Sequence, residues 1–302
     1  MSDGQPLPRL GWVLLGAITV FWGTNWVALK IALAEIPVWQ YRALTSGLGG
    51  LALLGFALLG GHGLGVPREA WRPLALGALF NVTGWQLLSG YGIRLLGSGQ
   101  ASVVSYTMPV WATLLSVIVL GERLTARILA ALGLSVVGIL ALFSNSLEAL
   151  GAAPLGALLM LGAAVSWAIG IIVQKRVAWP IPVISITGWQ LLIGACPMLL
   201  VALMSEPYRL GVASDAALWA LLYTLLLPSI FCYYAWYKVV SLFPASIASI
   251  GTVLIPVVAM LSGALVLGEP VGWREITALL SVVAAIGLVL FEPSRKVSPE
   301  RG

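Results

Sequence analysis

Apolar residues run along this chain in long blocks, and charge marks where the blocks end. Ten charge-free stretches lie at 10–29, 43–67, 73–93, 95–121, 128–147, 149–174, 177–205, 216–237, 239–268 and 276–291. A helix crossing the hydrocarbon core of a bilayer needs about 20 mostly apolar residues. Nine stretches meet that length, and the tenth reaches it through Trp273, with Arg274 and Glu275 near the interface. The stretches are continuously apolar and do not alternate with period two, which argues against a transmembrane β-barrel. The first stretch exceeds the ~7–15 residues of a signal-peptide core. The pattern therefore predicts an all-α integral membrane protein with ten transmembrane helices and short loops.

Composition narrows the function classes. Charged residues make up 9% of the 302 residues, against about 25% in a soluble domain. A soluble enzyme, a nucleic-acid binder and a disordered chain are excluded. With the N-terminus placed in the cytoplasm, eleven Lys and Arg fall on inside segments and five at outside ends. The positive-inside rule then puts both termini in the cytoplasm. The net charge of +5 follows from that bias and from attraction to anionic membrane lipid, so no nucleic-acid partner is needed. Cys196 and Cys232 lie in apolar stretches without metal or redox spacing. No metal and no cofactor is expected.

The chain also repeats itself. Leu120-Gly121-Glu122 recurs as Leu267-Gly268-Glu269, and the same offset of 147 carries Ser105 onto Thr252 and Pro109-Val110 onto Pro256-Val257. Trp22 falls on Trp167 and Trp39-Gln40 on Trp189-Gln190 at offsets of 145 and 150. Each half holds five helices. Five is odd, so the second half enters the membrane from the opposite side, giving two inverted five-helix repeats. The expected divisions are a cytoplasmic tail at 1–9, the first repeat at 10–147, the second at 148–292 and a cytoplasmic tail at 293–302.

In inverted-repeat carriers the site lies where paired helices are interrupted. Pro109 and Pro256 fall within stretches four and nine. Each proline removes a backbone donor and frees the carbonyl four residues earlier, at Ser105 and Thr252. These four residues, with Tyr106 beside Ser105, are the expected gate or hinge. The alternative is an ordinary proline kink healed by hydroxyls.

Phe21-Trp22-Gly23-Thr24-Asn25, Arg42, and Pro109 followed by Leu120-Gly121-Glu122-Arg123-Leu124-Thr125 resemble the EamA-type branch of the drug/metabolite transporter superfamily. The likeness covers residues 10–292. Ala168 in place of the glycine after tryptophan, and Pro270 after Glu269, depart from it in the second half. The resemblance implies a ten-helix fold and small-metabolite export. Within the family the chain is most similar to bacterial inner-membrane exporters of aromatic amino acids.

Polar and aromatic residues within the spans give a candidate substrate cavity between the repeats, since a polar group in hydrocarbon needs a partner or a cavity. The lining expected from helix one is Trp22, Asn25 and Trp26, and from helix three Asn81, Trp85, Gln86 and Ser89. Helix six offers Ser166, Trp167 and Gln174, and helix eight Tyr233 and Tyr237. For the deep tryptophans, Trp22, Trp26, Trp85, Trp111, Trp167, Trp189 and Trp236, plain packing competes with a substrate wall. Trp12, Trp39, Trp71, Trp179, Trp219 and Trp273 lie near helix ends, where an interfacial belt is expected. Lys30, Arg42 and Lys238 either reach inward to a substrate carboxylate or snorkel to the interface, and snorkelling is the simpler expectation.

No Asp or Glu lies inside the ten stretches. A proton-driven carrier commonly keeps a titratable group in the membrane, so facilitated diffusion of a small-molecule substrate is expected, with proton-coupled export as the alternative. A channel filter and an intramembrane catalytic constellation are both missing from the sequence.

Overall fold

The structure is a computed structural model, and it describes residues 8–96, 105, 107–142 and 154–268, with isolated positions at 273, 276, 277, 280, 281, 284 and 288. Its helices follow the apolar stretches. α1 is Arg9–Leu33 and α2 is Val38–Leu59. α3 is one rod built from Arg68–Gly77, a π-helical segment Ala78–Gly84, and Trp85–Leu96. α4 runs from Met108–Leu115 into a π segment Ser116–Leu120, and α5 is Ala126–Leu142. α6 is Pro154–Arg176 and α7 is Val183–Ser205. α8 joins Asp215–Thr224, a π segment Leu225–Cys232, and Tyr233–Leu242. α9 is Ala245–Gly251, a 3-10 turn Thr252–Leu254, and Ile255–Leu267.

Among the described residues there is no strand. By length and composition α1, α2, α6, α7 and α8 can each cross a membrane, and shorter apolar helices run over Met108–Leu120 and Val257–Val266. Most of the tenth stretch, Tyr106, and nearly all of the expected tails lie outside the described residues.

The internal repeat extends to backbone detail. The π segments of α3 and α8 begin 147 residues apart. Gly121 and Gly268, also 147 apart, both adopt φ +68°. That left-handed conformation ends a helix at little cost only in glycine, which explains why Leu-Gly-Glu recurs. Pro109 and Pro256 both fall in the first turn of their helical segment, where the missing N–H has no intrahelical partner to lose. In α9 the interruption is therefore the 3-10 turn before the proline, rather than a kink at it.

Packing follows the same correspondence. α2 packs on α7; α1 packs on α8 and α9, as α6 packs on α3 and α4. Pairing one with six, two with seven, three with eight and four with nine exchanges these contacts. At the α2–α7 crossing the two backbones come close at Gly50 and Gly188.

Several helices start on proline, which offers no side-chain acceptor to the first N–H groups. Pro37, before α2, makes no cap bond. The carboxylate of Glu206, just after α7, accepts from the N–H groups of Trp39 and Gln40 at 3.0–3.1 Å. Similarly, Glu122 accepts from Ala245 N at the start of α9, at 2.8 Å. An anion at a helix N-terminus contributes about 0.3–1 kcal/mol.

Glu35, after α1, accepts from both Ser214 N and Ser214 Oγ at 2.6 Å, beside the start of α8. These bonds hold its pKa below the ordinary 4.5. A lowered carboxylate pKa means that the tie stabilises fully above the ordinary value and is lost as pH falls through the lowered one. Wild type is expected to exceed Glu35→Gln in melting temperature by a constant margin at neutral pH. The margin is expected to shrink as pH falls below the ordinary carboxylate value of 4.5 and to be lost as it passes through the lowered pKa. A margin that does not change with pH would show that the carboxylate charge contributes nothing.

Candidate functional site

The deep aromatic residues, which sit within their helices rather than at the ends, come together. Trp167 of α6 stands at the centre. Its ring centroid lies 5.9 Å from Trp22, 5.5 Å from Trp85, 6.1 Å from Tyr233 and 5.9 Å from Trp236. Trp22 also meets Tyr233 and Trp236, at 5.9 and 6.0 Å. Tilted and edge-on contacts at such distances suit the ring quadrupoles. Four helices from both halves, α1, α3, α6 and α8, thus meet in one aromatic layer.

The π segments position two of these helices. Trp22 Nε1 donates to the Pro228 carbonyl at 3.2 Å, inside the π segment of α8. Ser166 Oγ donates to the Phe80 carbonyl at 2.8 Å, inside the π segment of α3. A π segment is frequently found at functional sites because it redirects side chains and backbone. Here each one receives a donor from the opposite half.

A buried polar chain lies on one side of the layer. Asn81 Nδ2 donates to Tyr237 Oη at 3.2 Å, Tyr237 Oη donates to Gln190 Oε1 at 2.5 Å, and Gln190 Nε2 donates to Gln174 Oε1 at 3.3 Å. All four residues are buried. Gly170 and Gly77 leave the space: a β-carbon at the first would overlap Asn81, and at the second Gln190. Gln174 then borders a cavity of about 550 Å³ with His62, Lys175, Tyr234 and Lys238. At this end Lys175 Nζ donates to the carbonyls of Val240 and Phe243 at 3.0 and 2.5 Å, closing the C-terminus of α8.

On the other side of the layer a second chain runs toward Glu35 and Glu206. Tyr41 Oη donates to Thr224 Oγ1 at 2.5 Å, and Thr224 Oγ1 donates to Asn25 Oδ1 at 2.6 Å. Thr24 and Tyr223 share a hydroxyl pair at 2.5 Å. Gln86 Nε2 reaches Tyr233 Oη at 3.5 Å.

The expected lining residues therefore separate into three levels. Trp22, Trp85, Trp167 and Tyr233 form the aromatic layer. Asn81, Gln174 and Tyr237 lie in one polar chain, and Asn25 in the other. Gln86 touches the layer through Tyr233, and Ser166 supports the π segment of α3. Ser89 is buried and bonds the Gln86 carbonyl at 3.5 Å. Trp26 is half-buried and makes no ring contact with the layer among the described residues. Ser105, Pro109 and Thr252 are buried, and Pro256 opens the last segment of α9.

Three expectations change. Trp39 does not sit in an interfacial belt: it is 1% exposed, with its ring 5.1 Å from Tyr91, because Gly90 leaves it room. Trp189 is not deep in the core. Its Nε1 donates to the Leu64 carbonyl at 3.1 Å and its ring meets Trp71 at 5.7 Å, at the cavity end. Arg42 does not snorkel, being 8% exposed within the protein. Gln190, Thr224 and Tyr41 were not among the expected site residues. Gln190 had a signal, since it is a lone amide amid an apolar stretch and pairs with Gln40 in the repeat.

Two units whose described helices share the same internal geometry match one family model twice, over residues 9–144 and 154–291. The chain belongs to the EamA-like transporter family. As an EamA-like transporter it has full-length relatives. It is 28% identical to YoaV, an uncharacterized transporter of Bacillus subtilis (strain 168), over 94% of this chain and 98% of that one. It is 28% identical to YedA, an uncharacterized inner membrane transporter of Escherichia coli (strain K12), over 96% and 92%. A probable amino-acid metabolite efflux pump of Salmonella typhimurium is 26% identical over 91% and 92%. One crystal structure, 20% identical, superposes with a TM-score of 0.81 over 95% of this chain and 99% of that chain. That likeness concerns the fold.

Proposed function

We propose that this EamA-like transporter is a secondary carrier that exports aromatic or other hydrophobic amino acids across a bacterial inner membrane. It works by alternating access between two inverted halves, with both termini cytoplasmic. The observation that carries the reading is the aromatic layer, built from both halves and flanked on each side by a buried polar chain. Such a layer gives an apolar side chain a matching surface, and the polar chains give the charged end of an amino acid oriented partners. Export of amino-acid metabolites is ascribed by name to the Salmonella relative, which supports the same substrate class here.

The absence of Asp and Glu from the apolar stretches supports movement down the substrate gradient. Glu35, Glu122 and Glu206 are engaged at helix N-termini, away from the aromatic layer.

Purified protein in liposomes tests this. Saturable uptake of labelled phenylalanine or tryptophan is expected, well above empty liposomes, with little change when a proton gradient is imposed. Uptake no faster than through empty liposomes would remove the substrate assignment. Strong acceleration by the gradient would replace facilitated diffusion with proton coupling.

A further inference from the structure

Arg42 is the fifth residue of α2 and is 8% exposed. Its Nε is buried without a hydrogen-bond partner among the described residues, and no carboxylate pairs with the guanidinium there. A buried guanidinium without an anion is costly, because its charge has lost water and gained no counter-charge. Tyr41, beside Arg42 in the chain, bonds Thr224 of α8, and the phenols of Tyr41 and Tyr233 are the ionisable groups close enough to act on the guanidinium charge. Tyr233 belongs to the aromatic layer, and Gln86 reaches the same hydroxyl. A second unpartnered donor lies in that layer: Trp236 Nε1 is buried with no acceptor, and its ring touches Trp22 and Trp167. Nearby, the buried hydroxyls of Tyr41 and Thr224 and the half-buried Asn25 bond to one another. What is left over between α2, α3 and α8 is one positive charge and donors in need of acceptors, beside aromatic rings.

We propose that Arg42 binds the carboxylate of the transported molecule, in a subsite that adjoins the aromatic layer at Tyr233 and selects monocarboxylates with an aromatic or apolar body. This deepens the carrier reading above and rests on it for the word transported. A guanidinium offers parallel N–H donors that match two carboxylate oxygens, and the low-dielectric surroundings strengthen the pair. The ligand's negative charge neutralises the buried cation while its apolar part meets the rings. An uncharged amide or ester of the same body would leave the cation unpaired and is rejected on that ground.

Binding to detergent-purified, full-length protein tests this without requiring transport. Isothermal titration with L-phenylalanine, 3-phenylpropionate and 3-phenylpropionamide, the neutral amide of the same body, is the measurement. Wild type is expected to bind both carboxylates at least tenfold more tightly than the amide. Arg42→Gln is expected to remove that preference by weakening the carboxylates and leaving the amide as it was. Arg42→Lys keeps the charge and loses the fork, so it retains the preference with carboxylate affinity reduced about tenfold. If Arg42→Gln does not fold, Arg42→Lys decides alone: equal affinity for acid and amide would overturn the proposal. So would a wild type that does not distinguish acid from amide, or an Arg42→Gln that weakens both alike, as a purely structural role predicts. Arg42-dependent carboxylate binding with no flux in liposomes would leave this subsite standing and remove the carrier reading instead.

Discussion

Gly50→Val is expected to leave almost no monodisperse protein after extraction from the membrane. A β-carbon at Gly50 would stand 2.7 Å from the Leu192 backbone nitrogen and 2.9 Å from the Gly188 carbonyl oxygen. Those atoms belong to α7 and cannot rotate away as a side chain can. The crossing is reciprocal, since a β-carbon at Gly188 would stand 2.9 Å from Leu54 and 3.1 Å from the Gly50 carbonyl. Overpacking typically costs about 1–3 kcal/mol and more where backbone must move. Close helix approach through small residues is also a main source of association in a membrane, where lipid is as apolar as leucine. Gly47→Ala is the control, because its β-carbon would meet Ala195 at an ordinary 3.6 Å. Gel filtration and melting temperature compare the two. Equal recovery of both variants would show that α2 and α7 slide apart without penalty.

Trp167→Ala is expected to cost about 3–5 kcal/mol, the range for removing a large buried aromatic. Trp167 is 7% exposed and touches Trp22, Trp85, Tyr233 and Trp236. Its loss opens a void at the point where four helices meet, and it removes the centre of the proposed substrate wall. Trp167→Phe keeps a ring and is expected to retain most of the stability. Trp219→Ala, at a side chain 70% exposed, is expected to be nearly silent. Detergent-unfolding midpoints rank the three. Trp167→Ala no less stable than Trp219→Ala would mean that the aromatic layer holds nothing together. Flux in liposomes is expected to follow the same order.

Helix placement was legible because charge marks the ends of spans. The repeat was legible because glycine at a left-handed helix end and proline in a first helical turn leave fixed residues at a fixed offset. The polar chains were half legible. Asn81, Gln174 and Tyr237 announce themselves as polar residues in apolar runs, but which one bonds to which depends on helix rotation. The π segments shift that rotation for every residue beyond them, and only Pro228, inside the second, hints at the change. Arg42 sits one turn inside a helix start. Sequence spacing alone allows it to bend outward or to stay inside, and the α2 packing against α7 and α8 decides for burial.

The exchange of donors at the two π segments bears on biosynthesis. The Phe80 carbonyl in the first half accepts from Ser166, and the Pro228 carbonyl in the second half accepts from Trp22. When the first five helices leave the ribosome, their own chain holds no Ser166 to offer. An unmet backbone carbonyl within the bilayer costs several kcal/mol. The Ser166 bond therefore forms only once α6 arrives, and the nascent first half keeps that face open until then. A gene split between residues 144 and 154 would have to deliver both products to the same patch of membrane for these two bonds to form.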